Sequence, residues 1–342
     1  MRVLHVVESF GAGTASAIGA YATSTPDLSH HLLRRIRTGE YFEDGGGSRF
    51  ESVSTLSGQL SSSVRQIREA IRSLRPDVVH AHSSWAGAFL RGTVIGPRKF
   101  RIVYTPHGYA FDRRDIGRAV RSAFWLAEAA LTRNTDVIAA CSEREAGLAH
   151  GLHKRANVVL VPNVVDAGDI DVPAFLEPSG EVVGVGRLTP ARDPDFFAAV
   201  VDALRRSRAN VRVTWIGGGE AAYVDRLTRA GVEVTGWVPR SEAMRRLASA
   251  AVYVHPSRWD ASPMTLLEAN ALGVPIAARS IATLAGSPPA ALGTHPSEVA
   301  AIVHDVLSDE RAAKENVSEW TSHLAKNSRA EQRRALLAAY SA

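Results

Sequence analysis

Short apolar, β-branched runs recur along this chain, each followed by a turn signal and then by a segment whose apolar residues have helical spacing. That alternation is the pattern of parallel βαβ units, because two parallel strands can be joined only by a crossover that returns over the sheet face. The runs fall into two series. The first predicts strands at Arg2 to Val7, around Leu32 to Ile36, and at Val78 to His82, Ile102 to Thr105, Val137 to Ala140 and Val158 to Val161. The second predicts them at Val182 to Val185, Val211 to Ile216, Glu233 to Thr235, Ala251 to His255 and Pro275 to Ala278. A length of 342 residues suits two such α/β domains, each burying its own core.

Between the series, Pro162-Asn163-Val164-Val165-Asp166 leads into a polar, Pro-containing stretch with the composition of a linker. The expected organisation is therefore a Rossmann-like domain over 1–165, a hinge over 166–180, and a second Rossmann-like domain over 181–317. The tail over 318–342, with Trp320, Leu324, Leu336, Leu337 and Tyr340 among many charges, reads as an amphipathic helix packing back toward the first domain. Thr38 to Ser63, rich in Gly and Ser, reads as a mobile loop. No tandem repeat indicates a solenoid.

Composition narrows the function. A hydrophobic fraction of 45% and a charged fraction of 22% exclude wholesale disorder. The single cysteine, Cys141, excludes an intramolecular disulfide and a multi-cysteine zinc site, and fits a reducing, cytoplasmic setting. No stretch approaches the roughly 20 apolar residues that span a bilayer, and the opening MRVLHVVESF reads as a buried first strand in preference to a signal peptide. Of the 40 basic residues only Lys99, Lys154, Lys314 and Lys326 are lysines, and the net charge is +5. Arginine's planar fork suits phosphate oxygens, so phosphate-bearing partners or an anionic membrane are favoured, against simple drift toward Arg. Arg65, Arg68, Arg72 and Arg75 on a predicted helix, with Arg34, Arg35 and Arg37 nearby, motivate a peripheral contact with an anionic membrane at its inner face; a solvated basic face is the competing reading. Nucleic acid is not an expected partner, since no zinc-finger or aromatic ribonucleoprotein motif is present.

Gly11-Ala12-Gly13-Thr14 follows the first strand and opens a helix, where backbone N–H groups could meet an anion; a tight turn without a ligand is the alternative. The third glycine of a dinucleotide fingerprint is missing, and the basic stretch His30 to Arg37 stands where a nicotinamide enzyme needs an acid. In the second half, Gly186-Arg187-Leu188 and then Arg192 lie just past a strand and would present two guanidiniums to a diphosphate, unless each is merely solvated. Asp260 and Glu268, separated by seven residues, in a loop and the helix after it, could both grip ligand hydroxyls; a capping Asp and a solvated Glu is the other reading.

Taken in order, these segments resemble a known family. The run PS-x-x-acid, seven residues, LLEA and then LGVPIA resembles the acid-x7-Glu signature of glycosyltransferase family four, retaining enzymes of GT-B fold, in which two Rossmann-like domains face each other across a cleft. GRL with a basic residue five positions after its Arg, WIGGGE and VTGWVP are similar to that family's donor-domain motifs. PDVVHAHSSWAG, YTPHGYAF, VIAACS and VPNVVD look like first-domain segments of members that build bacterial polysaccharides.

The resemblance implies that Glu268 holds the donor ribose, Asp260 the hydroxyls of the transferred sugar, and Arg187 and Arg192 the diphosphate. Gly186, Gly217 and main-chain groups near Ser262, Pro263, Met264 and Thr265 would meet sugar and phosphate, with Trp237 and Val238 bordering the base. Gly11 and Gly13 would admit diphosphate and acceptor, and His107 would lie against the sugar from the opposite domain. Three features depart from the family: Asp260 stands where Glu is usual, Arg192 where Lys is usual, and the loop from Ala282 to Pro289 is shortened.

The implied reaction is a retaining, front-side hexosyl transfer, without cofactor, from a UDP- or GDP-linked donor to a saccharide or lipid-linked acceptor. Asp169-Ile170-Asp171 lies in the expected linker and is no convincing metal motif, so no metal is expected. An epimerase of the same fold and a non-catalytic nucleotide-sugar-binding protein are the alternatives.

Overall fold

The computed structural model describes residues 1–36, 49–172 and 179–341, and the chain divides into two compact units. The N-terminal unit takes Met1–Val164 together with Asn327–Ala342, and the C-terminal unit takes Val165–Lys326. Both are α/β, as the alternation in the sequence requires.

The N-terminal unit runs β1 (Arg2–Phe10), α1 (Ala12–Ser24), β2 (Ser29–Ile36), β3 (Ser52–Thr55), α2 (Leu60–Leu74), β4 (Val78–His82), α3 (Ser84–Thr93), β5 (Arg101–Thr105), α4 (Arg118–Thr132), β6 (Val137–Ala140), α5 (Glu143–Leu152) and β7 (Val158–Leu160). Among the described residues its seven strands pair in parallel in the order β3-β2-β1-β4-β5-β6-β7. The C-terminal unit runs β8 (Val182–Val185), α6 (Pro194–Ser207), β9 (Val213–Ile216), α7 (Ala221–Arg229), β10 (Glu233–Val234), α8 (Arg240–Ala248), β11 (Val252–His255), α9 (Met264–Ala271), β12 (Ile276–Arg279), β13 (Leu292–Gly293), α10 (Pro296–Ser308) and α11 (Glu310–Leu324). Its six strands among the described residues are likewise parallel, in the order β10-β9-β8-β11-β12-β13. The last helix, α12 (Arg329–Ser341), returns to the N-terminal unit.

Strands buried on both faces need apolar runs without alternation, and Val78–His82 and Val182–Val185 are buried throughout. Two strands escape the sequence reading. Ser52–Thr55 is polar and mostly exposed at the sheet edge, and Leu292–Gly293 has only two residues. The mobile loop expected over 38–63 is thereby corrected: β3 and the start of α2 lie within it, while 37–48, with the triple glycine and Arg37, lies outside the described residues.

In the described part of the 166–180 segment, Ile170 is buried in the C-terminal core and Val172 packs against it, while Ala167, Gly168, Asp171 and Gly180 are exposed. The expected tail also needs correction. The tail is two helices, not one. Trp320, on α11, is fully buried in the C-terminal unit and donates from Nε1 to the Ile276 carbonyl at 3.3 Å. At the break, Ser328 Oγ accepts the Glu331 N–H at 3.3 Å, an N-cap that starts α12 afresh.

In α12, Ala335, Leu336, Ala339 and Tyr340 pack with Val3, Tyr21, Val78 and Val103, covering one face of the N-terminal sheet. Buried Gln332 donates to the Pro162 carbonyl at 2.8 Å and accepts from Ser24 Oγ at 2.6 Å. Because Leu336 is fully buried there, Leu336→Ala should cost about 2–5 kcal/mol. Hydrogen exchange should speed up across β1, β4 and β5 while β8 and β11 keep their protection, although the residue lies near the end of the chain.

Candidate functional site

In the C-terminal sheet β8 lies between β9 and β11, so the connections leaving β8 and β11 diverge to opposite sides. Such a switch point opens a crevice at the carboxyl edge, where ligands of open parallel sheets bind. The loops there are joined by close backbone contact. Leu188 N–H donates to the Gly218 carbonyl at 2.9 Å, and Trp215 Nε1 donates to the Gly186 carbonyl at 2.8 Å. A Cβ on Gly217 would stand 2.4 Å from that same Gly186 oxygen, and the backbone at Gly217 has φ 133°. Glycine is therefore required at 217 for the two loops to touch. The half-exposed Trp237 ring lies against Gly218, leaving an aromatic surface beside the glycine loop. Val238, by contrast, packs against the core.

Arg192 bridges the loops after β8 and β11. Its Nη1 donates to Ser257 Oγ at 2.9 Å and forms an ion pair with Asp260 Oδ2. The backbone reinforces the link, since Arg258 N–H donates to the Ala191 carbonyl at 2.8 Å. Asp260 Oδ1 accepts the Ala261 N–H at 2.8 Å. The two positions at which the sequence departs from the family signature thus meet in one ion pair, a shorter acid against a longer, forked base. A guanidinium carries five N–H donors, so this pairing orients Arg192 and leaves donors for a second anion.

Glu268 is buried on α9, and its Oε1 forms an ion pair with Arg240 Nη1 at 2.8 Å. Arg240, the first residue of α8, was missed from sequence although it directly follows the WVP of a recognised motif. Ser262 and Pro263 precede α9, and Met264 and Thr265 form its first turn, where backbone N–H groups lie beyond the helix's own ladder. Tyr253, buried in β11, senses the charges of Arg192, Asp260 and Glu268 together; burial pushes its phenol pKa up. Burial also lowers the His255 pKa to about 4, with Arg192 adding to the effect. Arg187 is half-buried in the loop after β8.

In the N-terminal unit Gly11 ends the loop after β1, and Gly13 lies in the first turn of α1. His107 follows β5 in a left-handed conformation, φ 50°, with Gly108 at 99°. Glu145 holds this turn, accepting the Gly108 N–H at 2.8 Å and the Cys141 N–H at 2.9 Å. The His107 ring leads into a buried file that the sequence reading did not find. His107 Nε2 lies 3.1 Å from His82 Nδ1, His82 Nε2 lies 3.0 Å from His5 Nδ1, and His5 Nε2 lies 3.0 Å from His30 Nδ1. His80 stands beside the file, bonded to Tyr340 OH at 3.0 Å and Thr105 Oγ1 at 2.8 Å.

Ring nitrogens of His5, His80 and His82 lie within 4.8 Å of one another, the spacing of a metal cluster. Every nitrogen of these rings already has a hydrogen-bond partner, so a metal would have to break that network. The basic face expected around α2 is also reduced. Arg34 is buried with its guanidinium 4.9 Å from the Phe10 ring centre, and Arg68 donates to the Thr93 carbonyl at 2.8 Å. No helix among the described residues is long and apolar enough to cross a membrane.

Known proteins share this architecture. Residues 12–164 match the family profile described as a glycosyl transferase 4-like domain, and residues 179–309 match that of glycosyl transferases group 1. The chain is 24% identical over 299 residues to an uncharacterized 41.2 kDa protein in the cps region of Klebsiella pneumoniae, covering 83% of this chain and 82% of that one. It is 24% identical over 263 residues to the UDP-Gal:alpha-D-GlcNAc-diphosphoundecaprenol alpha-1,3-galactosyltransferase of Escherichia coli, covering 69% and 67%. The crystal structure of Anabaena Alr3699/HepE in complex with UDP and glucose superposes with a TM-score of 0.77, at 16% identity, over 100% of this chain and 99% of that one.

Gly217→Ala tests the loop contact. A side chain at this φ, meeting the Gly186 carbonyl, should cost about 3 kcal/mol or more in urea unfolding. Gly180→Ala tests a glycine of left-handed φ where a Cβ would meet nothing within 4 Å, and it should cost about 1 kcal/mol.

Proposed function

The chain belongs to the family-four type of glycosyltransferases, with the GT-B fold, and from that premise we propose that it moves a hexosyl group from a nucleoside-diphosphate sugar to an acceptor hydroxyl with retention of configuration. The observation that carries this reading is the charged edge at the C-terminal switch point, where Arg192, Asp260 and Ser257 are linked and Glu268 is held nearby by Arg240. UDP is the first nucleotide to test, since the E. coli relative's name carries a UDP-linked sugar and the Anabaena structure holds UDP. The Klebsiella relative's cps region and the lipid-linked acceptor in the E. coli name support a saccharide or lipid-linked acceptor in polysaccharide assembly.

In this reading Glu268 accepts hydrogen bonds from the ribose hydroxyls through Oε2, because Arg240 occupies Oε1. Trp237 and Val238 border the base. Asp260, with main-chain groups of Ser262 to Thr265, meets the transferred sugar, and Gly186 and Gly217 let the diphosphate approach the backbone. The bond from the anomeric carbon to the phosphate oxygen breaks, and Arg187 and the remaining donors of Arg192 offset the charge that builds on the leaving diphosphate. A leaving-phosphate oxygen takes the acceptor hydroxyl proton on the same face, and the new glycosidic bond forms there. The products are the glycosylated acceptor and the nucleoside diphosphate. Gly11, Gly13 and His107 serve the reaction from the N-terminal unit, and no metal is required.

Two experiments test the assignment. A panel of UDP-, GDP- and ADP-sugars, with and without EDTA, should show slow release of nucleoside diphosphate from one donor, unaffected by the chelator. Glu268→Ala should lower that rate about 10- to 100-fold, the loss of about 1.5–3 kcal/mol for hydrogen bonds to a charged group. A divalent-ion requirement, or an unchanged mutant, would contradict the reading. The second is a double-mutant cycle. Asp260→Glu and Arg192→Lys should each impair turnover, and combining them should recover part of the loss, with a coupling of about 0.5–3 kcal/mol.

A further inference from the structure

The histidine file runs diagonally across one face of the N-terminal sheet, from His30 on β2 through His5 on β1 and His82 on β4 to His107 beyond β5. Successive rings are stacked, with centroids 5.2, 5.3 and 5.3 Å apart. What sets its polarity is the far end. His30 Nε2 faces the Thr25 carbonyl oxygen at 3.1 Å and Thr25 Oγ1 at 3.0 Å. The carbonyl can only accept, and the Thr25 hydroxyl hydrogen is spent on the Tyr21 carbonyl at 2.8 Å. His30 Nε2 must therefore carry the proton.

A neutral imidazole has one N–H, so each ring passes the constraint to the next. His30 Nδ1 is a bare lone pair, and His5 Nε2–H donates to it. His5 Nδ1 in turn accepts from His82 Nε2–H, and His82 Nδ1 accepts from His107 Nε2–H. The opposite polarity would set a lone pair of His30 against the carbonyl oxygen. Burial holds all four rings below the ordinary imidazole pKa, His107 at about 4, which keeps them neutral.

We propose that Thr25, His30, His5 and His82 are positioning residues that lock His107 as the Nε2–H tautomer, so that its Nδ1 lone pair is offered to a substrate O–H. The group that meets Nδ1 is then a saccharide hydroxyl, which can donate, and not a phosphate oxygen, which cannot. The tautomer follows from the hydrogen-bond geometry of neutral, buried rings; its use on a sugar hydroxyl rests on the transferase reading above. The left-handed backbone at His107, secured by the Gly108-to-Glu145 hydrogen bond, fixes the ring's origin while the file fixes its protons.

Long-range 1H–15N correlation spectra of the full chain labelled with [15N]histidine read the tautomers directly, each ring being identified by loss of its signals in the corresponding His→Gln variant. His5, His30, His82 and His107 should all appear as neutral Nε2–H rings at pH 7. A proton on His107 Nδ1, alone or with one on Nε2, would overturn the proposal. His5→Phe cuts the file and should leave His107 a mixture of tautomers; an unchanged single tautomer would count against control by the file. His5→Gln, whose amide can accept from His82 and donate to His30, should restore the wild-type pattern and keeps the test sharp if the Phe variant does not fold. With saturating UDP-hexose the His107 ring should keep its Nε2–H form, and a proton gained on Nδ1 would refute a hydroxyl guest. The spectra read ring protons and not turnover, so an error in the assigned reaction leaves the tautomer result intact.

Discussion

Every paired strand in both units runs parallel to its neighbour, so each connection must pass back over a sheet face and each sheet must be covered by helices on both sides. From that constraint come the apolar strands, the reversal of strand order at β1 and β4 in one unit and at β8 and β11 in the other, and a carboxyl edge where loops meet. It also explains why the end of the chain returns to the beginning. One face of the N-terminal sheet is covered in part by α12, and Leu336 and Tyr340 supply apolar surface to that layer.

Charge in this protein is placed where neutral structure brings partners within reach. The Gly186–Gly217 contact holds two loops together without side chains, and Arg192 then spans to Ser257 and Asp260. An ion pair of this kind gives little net stability, since half-buried charges lose solvation as they gain attraction. Its effect is orientation: a guanidinium fixed at one corner presents its remaining N–H groups in a set direction. The N-terminal unit achieves a comparable result with neutral groups, a file of imidazoles whose protons are ordered by one carbonyl oxygen at Thr25.

Much of this was legible in advance because it is local. Val78 to His82 and Val182 to Val185 announce themselves as strands by composition, and the acid-x7-Glu run places Asp260 in a loop and Glu268 on a helix by spacing alone. What was not legible is long-range. Arg240 was passed over because its partner Glu268 is distant in sequence, and the tail was read as one helix because Trp320 and Leu336 are both apolar, though they bury in different units. His5, His80 and His82 carry no local motif of their own, and His30 stands out in sequence only as the start of a basic stretch.

The sequence by itself determined most of the element types, the two-part α/β organisation and the family motifs, since strand burial, helix period and short motifs are set by residues within a few positions of each other. Only the tertiary structure decided which charged groups pair, that the substitutions at 192 and 260 meet, and that four histidines from three strands and a loop form one hydrogen-bonded file. Those relations depend on strand register and strand order, which bring together residues far apart in the chain and leave no mark on local composition.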